Sequence, residues 1–262
     1  MRSIFCTDLD NTMIFSYKHD IGADKVNVEI YQGREVSYVT RKTYQLLKQA
    51  AEKMLLVPLT TRTIEQYKRI DLGLGVLPYA LVCNGGILLE DGKENECWYQ
   101  QSLAAVQSAH IELQKALKLL EHDPYRTFEL RFISNLFVFT KCNQSEEVVC
   151  KLKNNVDLKI VDVLNNGSKV YVVPKALRKG EAIKRFKSYI EKKNICCTQE
   201  KDDIERKMIL AAGDSEFDIS MLQAADIAFA PKQLAQRHHL TNNVIVMPEE
   251  RPLSDEILEY IV

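Results

Sequence analysis

The chain has 262 residues, above the usual single-domain size of roughly 100–150, and two moderate domains fit that length better than one. With 27% charged residues, 46% hydrophobic residues and a formal net charge of −1, it carries no global bias toward nucleic acid or an acidic surface. Its seven cysteines include no CxxC pair and suit a reducing compartment better than a disulfide framework, so most read as packing residues.

The opening MRSIFCTDLD turns acidic too soon for a signal peptide, and no window approaches the roughly 18 apolar residues of a membrane span. A cytoplasmic protein without membrane or nucleic-acid partners is the expectation. SIFCT (3–7) reads as a first core strand, followed by a helix over 40–53 and apolar strands at MLLVPLT (54–60) and ALVCN (80–84). From GGILLEDGKENECWY (85–99) the texture changes. A long helix candidate at 101–121 leads to strands at 127–141, 158–164 and 168–174 that alternate apolar and polar residues, as a half-exposed antiparallel sheet does, with NNG (165–167) as a hairpin turn. The first texture then returns: a helix at 179–193, the strand KMILAAG (207–213), a helix at 216–225, strands IAFA (227–230) and VIVM (244–247), and a terminal helix at 254–262 opening on Ser254 and Asp255 as a cap. Near-continuous apolar strands alternating with helices predict an α/β fold with a Rossmann-like parallel-sheet core over 1–84 and 175–262, interrupted by an inserted α+β domain over 85–174.

Ligands of open α/β sheets bind beyond the carboxyl ends of the strands, so polar residues placed just after the apolar runs are the candidates for chemistry. Four places qualify: Asp8-Leu9-Asp10-Asn11-Thr12, Thr60-Thr61-Arg62, Lys179-Gly180, and Gly213-Asp214-Ser215-Glu216-Phe217-Asp218. Together they offer four carboxylates, a hydroxyl and an ammonium, a set that suits Mg²⁺ with a phosphate. One aspartate of the first pair then attacks phosphorus, while Asp10, two residues on, serves as general acid and base toward the leaving oxygen and incoming water. Blander readings stand beside these. An Asx turn accounts for Asp8 and Asp10 alone, Thr60 and Thr61 suit a helix cap, and Asn84-Gly85-Gly86 suits a turn leaving the core. Arg62 either grips substrate or pairs with a carboxylate, His238 and His239 lack metal-ligand spacing, and Trp98 reads as core.

DLDNT, the Thr60 and Arg62 of LTTR, Lys179 in KALRKG, and GDSEFD resemble, in order, the four motifs of the haloacid dehalogenase superfamily of phosphatases. The long insert after VCNGG, and the passage SKVYVVPKALRKGEAI out of it, resemble the branch holding Cof-like, sucrose-phosphate and trehalose-phosphate phosphatases, in which an α+β cap closes over the site. The resemblance implies Asp8 as nucleophile, Asp10 as acid/base, and Thr60 and Lys179 on the phosphate, with Thr61, Arg62 and Asn84 as further contacts. It also implies Mg²⁺ held by Asp8, the Asp10 carbonyl and Asp214, with Asp218 and Ser215 in support. A small phosphorylated metabolite, a sugar phosphate, is the implied substrate, hydrolysed by a monomer or weak homo-oligomer. One departure is Phe217, where many relatives carry Asn; Phe has no hydrogen to donate, and Ser215 is the candidate substitute. Two other outcomes keep the fold: a phosphosugar mutase or phosphotransferase, and a catalytically weak sugar-phosphate sensor.

Overall fold

In the computed structural model, which describes residues 3–197 and 208–262, the chain divides into Met1–Glu94 with Lys179–Val262 and, between them in sequence, Asn95–Arg178. The first unit opens with β1 (Ile4–Thr7), β2 (Phe15–Ser16), β3 (Lys25–Tyr31), β4 (Arg34–Thr40), α1 (Arg41–Lys53) and β5 (Leu55–Pro58). It continues through α2 (Ile64–Tyr67), β6 (Tyr79–Val82), β7 (Ile87–Glu90) and β8 (Lys93–Glu94). The inserted unit holds α3 (Glu96–Val106), α4 (His110–Glu121), β9 (Arg131–Ile133), β10 (Phe137–Lys141), α5 (Ser145–Lys153), β11 (Val161–Asn166) and β12 (Lys169–Pro174). The first unit resumes with α6 (Lys179–Cys197), β13 (Ile209–Ala212), α7 (Ile219–Ala224), β14 (Ile227–Pro231), α8 (Lys232–Arg237), β15 (Val244–Met247) and α9 (Leu253–Ile261).

Five strands form a parallel sheet in the order β15-β14-β13-β1-β5, with every residue of β1 and β13 buried. Phe5, Leu210 and Phe229 of this sheet pack with Leu47 and Ala50 of α1 and Ile257 and Leu258 of α9. Thr40 starts α1 by accepting the Thr43 N–H, an N-cap contribution of about 1 kcal/mol. ALVCN does not join the parallel ladder. β6 pairs antiparallel with β7, and its link to β5 among the described residues is the Leu59–Leu81 bridge. Because β7 and β8 zip back onto β6, residues 85–94 belong with the first unit rather than with the insert, and the division falls after Glu94. At the far end it falls after Arg178, whose guanidinium forks onto Asp162 of β11 at 2.5 and 2.7 Å, rather than after Pro174.

Residues 15–40 form a second, antiparallel sheet in the order β2-β4-β3 that no apolar run announces. Its hairpin turns at Gln32 (φ 50°) and Gly33 (φ 73°), a left-handed pair that two-residue hairpins require. α5 and α8 are likewise absent from the sequence expectations. The terminal helix begins after Pro252; Ser254 and Asp255 lie buried in its first turn instead of capping it, where they receive the hydroxyl of Thr43, and Asp255 also that of Thr40.

The inserted unit is a four-stranded antiparallel sheet, β11-β12-β10-β9, whose Val138, Val161, Val163, Val170 and Val172 pack with Leu113 and Leu120 of α4 and Val148 and Leu152 of α5. The helix predicted over 101–121 is two, separated by a 3₁₀ turn at Gln107–Ala109. The strand predicted over 127–141 is the hairpin β9–β10, turning at Ser134 and Asn135, both with positive φ. Trp98 is buried. Cys6, Cys83 and Cys142 are buried packing residues, whereas Cys97 and Cys150 are exposed; the side chains of Cys196 and Cys197 lie outside the described residues. No helix of the described residues is long and apolar enough to cross a membrane.

Candidate active site

β1 ends at Thr7 and the chain turns at once. The Leu9 carbonyl accepts the N–H groups of Thr12, Met13 and Ile14, and Asn11 takes a left-handed conformation with φ 63°. Asp8 stays on the ladder through its N–H to the Ala212 carbonyl at 2.9 Å, so its carboxylate stands at the end of the strand between β5 and β13. β13 ends one residue before Gly213, and the loop beyond it closes around Asp218. Asp218 Oδ2 accepts the N–H groups of Asp214 (3.2 Å) and Ser215 (3.0 Å) and the Ser215 hydroxyl (2.8 Å). A side chain at Gly213 has no room, since its Cβ would stand 2.3 Å from that of Asp218. Lys179, the first residue of α6 and 1% exposed, donates from Nζ to Asp8 Oδ1 and to Asp218 Oδ1, each at 2.5 Å.

A single ammonium thus faces three buried or half-buried carboxylates, for Asp8, Asp214 and Asp218 present oxygens within 4.8 Å of one another. Burial pushes the Asp8 carboxyl well above its ordinary value, Lys179 pulls it back, and Asp218, Asp214 and Asp10 push it further up. Burial and then Asp218 carry Asp214 from 3.8 up to about 7, against Lys179 and the Thr12 hydroxyl, which donates to Asp214 Oδ1 at 3.1 Å. Burial disfavours the Lys179 ammonium, yet Asp218 and Asp8 together hold it above its ordinary range. The cluster therefore has more anionic capacity than Lys179 neutralises. Asp218 spends both oxygens on Lys179 and the 214–215 loop, whereas Asp8 accepts from Lys179 on Oδ1 and Asp214 from the Thr12 hydroxyl on Oδ1. Two hard oxygen donors in excess of the available positive charge are the donor set a Mg²⁺ ion fits.

The second strand end is built differently. Thr60, fully buried, accepts the Arg62 N–H on its hydroxyl at 3.2 Å, and its carbonyl accepts the Asn84 N–H at 2.8 Å. Neither Thr60 nor Thr61 caps a helix: Thr63 does, in a reciprocal capping box with Gln66. Thr61 is half-buried and makes no side-chain hydrogen bond to a described residue. Asn84 is buried with φ 59°, tied by its backbone to Thr60. Arg62 lies against carboxylates, donating from Nε and Nη2 to the two oxygens of Asp10 at 2.8 and 2.7 Å and pairing through Nη1 with Glu29 at 2.9 Å. Of the sequence candidates, Asp8, Lys179, Asp214, Ser215 and Asp218 form one hydrogen-bonded cluster and Asp10 pairs with Arg62 in another, which Thr60 and Asn84 join through backbone hydrogen bonds, while the Thr61 side chain is hydrogen-bonded to neither. Phe217 is buried at 9% exposure, and the Ser215 hydroxyl is spent on Asp218. Thr12 lay in the candidate stretch with no role assigned to it; Glu29 was not among the candidates, and nothing in the sequence around it marks it.

By its family match the chain is a phosphatase of the haloacid dehalogenase superfamily, a phosphoric monoester hydrolase. The profile of the Sucrose-6F-phosphate phosphohydrolase family matches residues 1–229, and the chain belongs to that family. Among solved structures the chain is similar to sucrose-phosphatase from Synechocystis sp. PCC6803 in complex with sucrose and phosphate, at 16% identity and TM-score 0.67, over 100% of this chain and 97% of that one. It is similar to Thermoplasma acidophilum 0175 at 14% identity and TM-score 0.58, over 100% and 97% of the two chains. It is also similar to yhjK, a haloacid dehalogenase-like hydrolase protein from Bacillus subtilis, at 16% identity and TM-score 0.52, over 99% and 90%. At those identities the likeness is one of fold. No functionally curated protein matches the chain.

Proposed function

We infer that the chain hydrolyses a small sugar phosphate through a phosphorylated Asp8. The observation that carries this reading is the Asp8 carboxylate at the end of β1, hydrogen-bonded by Lys179 at 2.5 Å and within 4.8 Å of Asp214. An Asp8 oxygen forms the bond to phosphorus as the ester P–O bond breaks, and Asp10 gives its proton to the departing oxygen. Asp10 then takes a proton from the water that attacks phosphorus, and Asp8 is released as a carboxylate. Lys179 holds Asp8 in place and offsets charge on the transferring group. Asp8, Asp214 and the Asp10 carbonyl would hold Mg²⁺, which when bound shields the attacking carboxylate from the phosphate's negative charge. A sugar as the alcohol part is supported by family membership, and selection among sugars is assigned to the inserted unit, Asn95–Arg178.

The test is a panel of hexose 6-phosphates, sucrose 6-phosphate, glycerol phosphate and p-nitrophenyl phosphate, assayed with Mg²⁺ and with EDTA. Wild type should release inorganic phosphate in step with ester loss only when Mg²⁺ is present, and Asp8→Asn should release none. Ester consumed without phosphate release would favour transfer to a second sugar. An Asp8→Asn variant as active as wild type would sink the assignment.

A further inference from the structure

Glu29 lies outside the strand ends that carry the site, on β3 of the antiparallel sheet, yet it is only 3% exposed. A carboxylate stays buried only when its charge and oxygens are satisfied. Oε1 accepts from Arg69 Nε at 3.0 Å and pairs with Arg62 Nη1 at 2.9 Å, while Oε2 accepts the Ser37 hydroxyl at 2.6 Å. The backbone is arranged to produce this. The β3–β4 register shifts on both sides of Glu29, and Asn27 Nδ2 spans the irregularity by donating to the Glu29 and Ser37 carbonyls at 3.1 and 3.0 Å. A bridge to Ile70 pins the same residue to the segment after α2. Bulges of this kind re-aim a side chain, and here the side chain is Glu29.

Arg62 therefore stands between two carboxylates, with Glu29 on Nη1 and Asp10 on Nε and Nη2. A guanidinium is planar and its donors are fixed relative to one another, so anchoring one edge orients the other. The geometry points to Glu29 as a positioning residue: through Arg62 it sets the angle at which the Asp10 carboxyl meets the leaving oxygen. This rests on the phosphatase reading, in which Asp10 is the acid. Anchoring the hairpin to the body of the unit is the purely structural role from which it must be separated.

Leaving-group dependence separates them. A sugar alkoxide needs a proton to depart, whereas p-nitrophenolate leaves without one, and kcat/KM reports steps up to that departure in both cases. In Glu29→Gln, kcat/KM for the panel's fastest sugar phosphate should fall about tenfold or more while that for p-nitrophenyl phosphate stays within about threefold. In an Arg62→Lys background, which lacks the fork, adding Glu29→Gln should leave the ratio of the two unchanged. Equal losses for both substrates, or no loss for either, would overturn the inference. If Glu29→Gln does not fold, Ser37→Ala replaces it, removing only the hydroxyl on Glu29 Oε2: a threefold fall in the ratio supports the inference and a constant ratio overturns it. Failure of the underlying reading looks different, because wild type would then turn over no ester of the panel or Asp8→Asn would keep full activity.

Discussion

Lys179 is enclosed by two carboxylates at 2.5 Å each, and removing it leaves both buried without a counter-charge. Breaking a buried ion pair from one side costs about 3–5 kcal/mol. Lys179→Ala should therefore lower Tm by roughly 6–20 °C, at about 2–4 °C per kcal/mol for a chain this large, besides abolishing turnover. The sign with pH follows from Asp8 and Asp214, both raised in the folded state chiefly by burial. A carboxyl whose folded value exceeds its unfolded one contributes stability that is full at acid pH and is lost as pH rises through the folded value. For Asp214 the loss runs from the ordinary 3.8 up to about 7, levelling off above the folded value. In EDTA the wild type should thus melt lower at pH 8 than at pH 6, and because Mg²⁺ binds the ionised carboxylates, the Tm gain it brings should be larger at pH 8. A larger gain at pH 6, read in the same calorimeter, would contradict the site. For Lys179→Ala the Tm deficit should shrink toward acid pH, since protonation removes the stranded charges.

Helix α6 approaches α7 so closely that a Cβ on Gly180 would stand 2.3 Å from the Ser220 carbonyl oxygen. Replacing Gly by Ala inside a helix ordinarily adds about 1 kcal/mol of stability. At Gly180 the sign should reverse, with about 1–3 kcal/mol lost to overpacking, and kcat should fall because the displaced first turn carries Lys179. A stabilised, fully active Gly180→Ala would show that the packing tolerates the shift. The parallel strands β1 and β13 were legible in the sequence because burial on both faces leaves unbroken apolar runs, as in IFCT and ILAA, whereas VIVM of the edge strand β15 is apolar although Val246 is exposed. β6 carried the same signal yet pairs antiparallel with β7, since an apolar run records burial and not the direction of its neighbour. The β2-β4-β3 sheet was illegible because KVNVEIY and REVSYVT are mostly polar or half-exposed and their hairpin rests on a Gln-Gly turn. Asp8, Asp214 and Asp218 were legible as polar residues beyond apolar strands and Lys179 as a lysine at a helix start, and they do meet. Glu29 was not, because its role depends on a register shift in a sheet that the sequence hid.

Each of the two units buries its own apolar cluster, Phe5 with Leu47 and Phe229 in one, Leu113 with Val138 and Val172 in the other. A fragment spanning 95–178 should accordingly unfold cooperatively in urea by circular dichroism; a gradual, featureless loss of signal would show that its core depends on the remainder. The catalytic candidates all come from the other unit, split across the two sides of that fragment. Lys179 and Asp8 are 171 positions apart, and Thr12 and Asp214 are 202 apart. At a synthesis rate of about 5–20 residues per second, β1 waits roughly 10–40 s for β13 and the loop that completes its edge. Until residues through Asp218 have left the ribosome the nascent chain lacks part of this cluster, so on the proposed mechanism it should turn over no phosphate ester before that point.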